Sequence, residues 1–201
     1  MLIPETSHVR IVLNLRLFRS ERIGGMESVV RRLAADIAAE PLAARQQVSI
    51  VARRDEPAAA LYPGADVVSV APDAPDRAWR RAVEKLCPDL LLCPLLALDP
   101  PELDCPSAVW VPDLQHETYP KFFDAETLAW RRRTFADTFA RASLVVTLSE
   151  YSRFTMLARY PATPPERIVV QPPRVDDAFR QPASPGTACQ VDRLGLPPRY
   201  L

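Results

Sequence analysis

ASLVVTLSEYSRFTMLARYPATPPERIVVQ, residues 142–171, is the stretch on which the fold reading turns. LVVTL (144–148) is a short apolar, β-branched run. SEYSRFTMLARY (149–160) opens on Ser149, a good helix N-cap, and stops before Pro161. RIVVQ (167–171) is a second apolar run. Strand, helix and strand in that order is the unit from which parallel sheets are built.

Working outward, the same alternation recurs. VRIVLNL (9–15), VSIVA (48–52), DVVSV (66–70), DLLLC (89–93) and AVWV (108–111) read as further strands. Most lack strict apolar–polar alternation, which is what a sheet covered on both faces requires. Between them lie helical patterns. In GGMESVVRRLAADIAAE (24–40), Met26, Val30, Leu33 and Ile37 form one apolar stripe, ended by Pro41. APDRAWRRAVEKLC (74–87) turns Trp79, Val83 and Leu86 inward. DAETLAWRRRTFADTFARA (124–142) places Leu128, Phe135 and Phe139 on one side and arginines opposite. The expected fold is α/β: a doubly wound, mostly parallel, Rossmann-like sheet of about seven strands over residues 1–171. Residues 172–201, rich in Pro, Ala, Asp and Gln, read as a linker. The final PPRYL reads as the opening of a strand belonging to a C-terminal domain that the chain lacks.

Composition bounds the function. The 25 basic and 25 acidic side chains cancel, and no basic stripe is interleaved with aromatics, so no nucleic-acid partner is expected. Arg131-Arg132-Arg133 reads as a solvated helix face, with a phosphate or anionic-lipid contact as the alternative. No window is long and apolar enough to span a membrane, and the N-terminus lacks a signal-peptide pattern. Cys87, Cys93, Cys105 and Cys189 show no zinc-ligand spacing, and no metal is expected. They read as small buried hydrophobes of a reducing cytoplasm.

In a doubly wound sheet ligands bind beyond the carboxyl ends of the strands, so candidate chemistry is sought in the loops there. RLFRSERIGGMES (16–28) brings Gly24 and Gly25 to a helix entry, where close backbone approach and free amides suit a phosphate. A helix entry that simply needs permissive backbone angles explains them as well. Neither the dinucleotide pattern G-x-G-x-x-G nor the P-loop is present. After AVWV and Pro112, Asp113, Gln115, His116, Glu117 and Tyr119 fall in one loop. A histidine beside carboxylates can orient a hydroxyl or accept its proton, and Tyr119, Phe122 and Phe123 can stack on sugar or lipid carbons. The alternatives are a His116 that only hydrogen-bonds a carbonyl, and core roles for Phe122 and Phe123. Ser149 and Glu150 lie at the same edge, where helix capping and the helix dipole also explain them. Arg153 reads as an anion contact or a solvated cation. No nucleophile–base–orienter set is visible.

RIGGMESVVRRLA (22–34), VWVPDLQHETYPKFF (109–123) and ASLVVTLSEYSRFTMLARY (142–160), with RIVVQPPRVD (167–176) after it, occur in an order that resembles a known family. The chain over about residues 9–180 resembles the N-terminal half of the retaining, nucleotide-sugar-dependent glycosyltransferases of family four, the "group 1" family of GT-B architecture. The resemblance implies an acceptor-binding domain of a cytoplasmic hexosyltransferase-class enzyme in glycan biosynthesis. It implies a nucleotide-sugar donor as co-substrate, a glycan or lipid-linked acceptor, no bound metal, and contact with the inner face of a membrane as an option. Gly24 and Gly25 would meet the donor diphosphate. Asp113 and His116 would serve catalysis on the acceptor side, with Glu117, Tyr119, Ser149 and Glu150 lining the acceptor. Two departures stand out. Pro112 occupies the position before Asp113 where many members carry a histidine, and His116 stands in only by proximity. The donor-binding residues of the family belong to a C-terminal domain, so this half is expected to be inactive alone. The rival readings are a stand-alone α/β module that binds a ligand or protein, and a nucleotide-sugar epimerase or related enzyme. The epimerase reading needs a dinucleotide fingerprint that RSERIGG (19–25) does not supply.

Overall fold

The computed structural model describes residues 8–21, 28–33, 37, 46–60, 65–172 and 193. All seven expected strands form. They are β1 (Val9–Asn14), β2 (Gln46–Arg53), β3 (Asp66–Val70), β4 (Leu90–Cys93), β5 (Ser107–Trp110), β6 (Leu144–Thr147) and β7 (Ile168–Val170). They make one sheet in the order β3-β2-β1-β4-β5-β6-β7, and every neighbouring pair is parallel. From β1 the chain winds outward to β3, then returns to lay β4 against the free side of β1 and winds the other way. β1 and β4 therefore flank the point where the order reverses.

Residues 28–33 are helical and form α1. The later helices are α2 (Asp76–Glu84), α3 (Gln115–Thr118), α4 (Ala125–Arg141) and α5 (Glu150–Arg159). Consecutive strand residues point to opposite faces, so unbroken apolar strands feed two cores. Val12, Val51, Leu91, Val109, Val145 and Ile168 pack on one face with Trp79 and Val83 of α2, Phe135 and Phe139 of α4, and Met156 of α5. Leu13, Leu15, Ile50 and Ala52 pack on the other with Val30 of α1 and Phe18. The inward positions expected for α2 and α4 are met at Trp79, Val83, Phe135 and Phe139, while Leu86 and Leu128 are only partly buried.

Caps set the helix starts. Asp124 accepts from the Thr127 amide at 2.7 Å and opens α4. Ser149 accepts from the Ser152 amide at 3.1 Å and opens α5, as its sequence position predicts. At the amino end of the β1–β4 pair, Arg10 clamps Asp89 through its backbone amide at 2.8 Å and its guanidinium at 2.9 and 3.2 Å. Those hydrogen bonds hold the Asp89 carboxyl at about 2. The expected linker and the start of a further domain, beyond residue 172, lie outside the described residues apart from residue 193.

Phe139 is 1% exposed and stacks on Tyr160 with ring centroids 4.2 Å apart. Phe139→Ala is expected to lower unfolding stability by about 3–5 kcal/mol, read as a lower urea midpoint at unchanged slope.

Candidate functional site

The carboxyl ends of β1 and β4 carry a connected set of polar groups. Asn14, the last residue of β1, is 5% exposed, so both ends of its amide need partners. Its Oδ1 accepts from the Arg16 amide at 3.0 Å, and its Nδ2 donates to the Asp99 carbonyl. Arg16 then forks. Nη1 donates to both Asp99 oxygens at 3.0 and 3.3 Å, and Nη2 donates to Asp76, at the start of α2, at 2.6 Å. The guanidinium lies 5.1 Å from the centre of the Trp79 ring. Burial pushes the Asp99 carboxyl up, against the pull of Arg16.

The segment after β4 is held in place by its own backbone. Leu96 adopts φ 62, a left-handed conformation uncommon outside glycine, and its amide donates to the Trp110 carbonyl at 2.9 Å. The Leu98 amide donates to Thr138 Oγ1 of α4 at 3.0 Å. Asp99–Pro100 is a cis peptide. Below it, burial pushes the Cys93 thiol up to about 12, which removes it as a nucleophile. These elements enclose a cavity of about 270 Å³ whose polar lining comprises Arg16, Asp76, Asp99, Thr134 and Asp137, with Trp130 as its aromatic wall. It opens where the strand order reverses, the place where α/β sheets bind ligands.

The residues expected from sequence are distributed differently. Asp113 is exposed, and its Oδ1 accepts from the Gln115 amide at 3.0 Å. That turn starts α3, where the sequence reads as loop. His116 is 0% exposed, edge-on to Phe135 with ring centroids 4.8 Å apart, and neither ring nitrogen has a hydrogen-bond partner. One helical turn thus sends Asp113 to solvent and His116 into the core, and the two do not converge on a solvent-facing point. Burial lowers the His116 pKa, although Glu117 Oε1 lies 3.6 Å from Nε2.

Glu117 is half-buried and faces two cations, Arg159 at 3.4 Å and Arg132 at 3.8 Å, so it ties α3 to α4 and α5. Tyr119 and Phe122 are exposed with ring centroids 5.9 Å apart, so Phe122 is not core. Ser149 caps α5, and Glu150 is exposed, 3.8 Å from Arg153. Arg153 is not merely solvated: it donates to the Ile168 carbonyl at 2.9 Å and the Pro165 carbonyl at 3.1 Å, tying α5 to β7 and the turn before it. The arginine face of α4 also needs correction at one position. Arg131 is half-buried over the Phe123 ring at 4.5 Å, and burial lowers its pKa, whereas Arg132 and Arg133 are exposed. Cys87, expected to be buried, is exposed. Gly24 and Gly25 lie outside the described residues. Among the described residues no group of three or more His, Cys, Asp or Glu could hold a metal ion, and no helix is long and apolar enough to cross a membrane.

Arg16, Asp99 and the cavity were missed in the sequence. Two signals were available: a polar Asn14 ending a buried strand, and Trp130, Thr134 and Asp137 spaced on one face of α4.

Fold and site together define a Rossmann-like, doubly wound α/β domain with a preformed polar pocket at its switch point. No protein-family model matches the chain, and no curated protein sequence matches it at a significant level.

His116 gives a pH signature. Its folded pKa lies below the ordinary value of 6.5, so below that pH the unfolded chain binds the extra proton. Stability from this group is complete above pH 6.5 and falls as pH drops from 6.5 toward the folded pKa. His116→Phe is expected to flatten that decline, checked by urea unfolding at a series of pH values between about 4.5 and 7.5.

Proposed function

We propose that this domain is the acceptor-binding half of a retaining glycosyltransferase that uses a nucleotide-sugar donor and closes against a second, donor-binding domain. The observation that carries the reading is the switch-point cavity. Three carboxylates face one guanidinium there, so the lining is net negative and suits hydroxyl donors better than a diphosphate. Transfer of a sugar from a nucleotide-sugar needs cations or helix N-termini against the departing phosphate. Arg16 is already committed to Asp99 and Asp76. In this reading the leaving-group charge is met on the partner domain, and closure excludes water.

A second reading has its own support. His116 is buried, Cys93 is held as a neutral thiol and Ser149 is used as a cap, which fits a binding module without chemistry.

A transfer assay separates the two. With a panel of nucleotide-sugars and glycan or lipid-linked acceptors, the 201-residue chain is expected to give no transfer. A chain carrying a donor-binding domain after it is expected to give transfer. Turnover by the 201-residue chain alone, or tighter binding of a nucleotide-sugar than of any acceptor by calorimetry, overturns the half-enzyme reading. Acceptor binding with no transfer from any longer product of the same reading frame favours the module.

A further inference from the structure

We infer that the cavity between the β1 and β4 ends, α2 and α4 is a saccharide subsite that takes one neutral hexose-sized unit. The inference rests on the acceptor-binding reading and narrows it, from a glycan or a lipid chain to the sugar part of the acceptor.

Size is the first argument. About 270 Å³ lies just under the range of roughly 300–1,000 Å³ typical of clefts for drug-sized ligands. It admits a single sugar ring and is too small for a long isoprenoid chain. Chemistry is the second. Trp130 offers a flat apolar face for the C–H side of a sugar ring. One and two helical turns further along α4, Thr134 and Asp137 line the same cavity, giving a hydroxyl and a carboxylate beside the indole. Asp137 has no ion-pair partner among the described residues, so both its oxygens are open to sugar hydroxyls. Asp76 and Asp99 keep acceptor capacity beyond their bonds to Arg16, because each carboxylate offers about four lone-pair sites.

Charge excludes anions. A phosphate or sulfate would face three carboxylates with only one cation, and that cation is already shared between Asp76 and Asp99. An ammonium group is the stronger competitor, because the lining is net negative and Asp137 has no paired cation among the described residues, so spermidine is the comparator that tests it. A neutral polyol satisfies the carboxylates by donating hydroxyl hydrogens and adds no charge. The floor is also preorganised. Arg16 is held by Asp76 and Asp99, and the 96–99 backbone is tied to Trp110 and Thr138, so binding requires little ordering of the protein.

The test is ligand-observed NMR and calorimetry on the 201-residue chain. The probes are methyl glycosides of glucose, mannose, galactose and N-acetylglucosamine, with inorganic phosphate and spermidine as charged comparators. At least one neutral glycoside is expected to bind. Its affinity is expected to fall roughly ten-fold or more in Asp137→Asn, and likewise in Trp130→Phe, which keeps the ring hydrophobic but narrows the face. Glu126→Gln, on the first turn of α4 and outside the cavity, is expected to leave binding unchanged. Asp137 is exposed, so its variant is expected to fold normally, and amide spectra check this. Failure of every neutral glycoside to bind at tens of millimolar overturns the inference. So does binding that neither Asp137→Asn nor Trp130→Phe weakens, or phosphate or spermidine binding tighter than every glycoside. Glycoside binding that depends on Asp137 and Trp130 supports the subsite even if no longer chain transfers sugar, in which case only the half-enzyme reading fails.

Discussion

The contact on which the rest of this structure leans is the fork of Arg16 across the β1–β4 junction. Its two arms reach Asp99, on the segment leaving β4, and Asp76, at the start of α2. One guanidinium thereby connects the strand that begins the sheet, the strand that reverses its order and the first helix of the opposite core. A planar, permanently charged donor is suited to this, because it can grip a carboxylate bidentately and still reach a second one. The Arg10–Asp89 clamp performs the matching task at the other end of the same strand pair. A parallel pair needs long-range closure, and here both ends of the pair that seeds the reversal are pinned by charge.

That constraint has a chemical consequence. Holding Arg16 against two carboxylates consumes the cation at the switch point and leaves a lining with excess acceptors. The proposed preference for hydroxyls over phosphate rests on that excess. Asn14 makes the arrangement possible. A polar residue at the buried end of β1 can be tolerated only if its amide is satisfied at both ends, and it is, by the backbone of Arg16 and of Asp99. The functional reading rests on this local logic of satisfied polar groups, with the fold supplying only the place.

The outer rim is built on different principles. Glu117 between Arg132 and Arg159 links α3 to α4 and α5, and Arg153 on the Ile168 and Pro165 carbonyls links α5 to β7 and the turn before it. They lie among residues whose types invite catalytic interpretation. The difference lies in partners: Glu117 Oε1 already faces two arginines, whereas Asp137 lines the cavity without an ion-pair partner among the described residues.

Much of this was readable in the chain. Seven apolar runs, the inward Trp79, Val83, Phe135 and Phe139, and the Ser149 cap all follow from local rules, because periodicity and capping depend on residues a few positions apart. Residue types alone could place His116 and Asp113 in the same short segment, yet not say that one turn of helix would bury the first and expose the second. That outcome depends on Phe135, which comes from α4. Nor could any local pattern announce that Arg16 would meet a carboxylate 83 residues away. Local order comes from neighbours in sequence, whereas a site comes from neighbours in space, and only the winding of the sheet around β1 decides who those are.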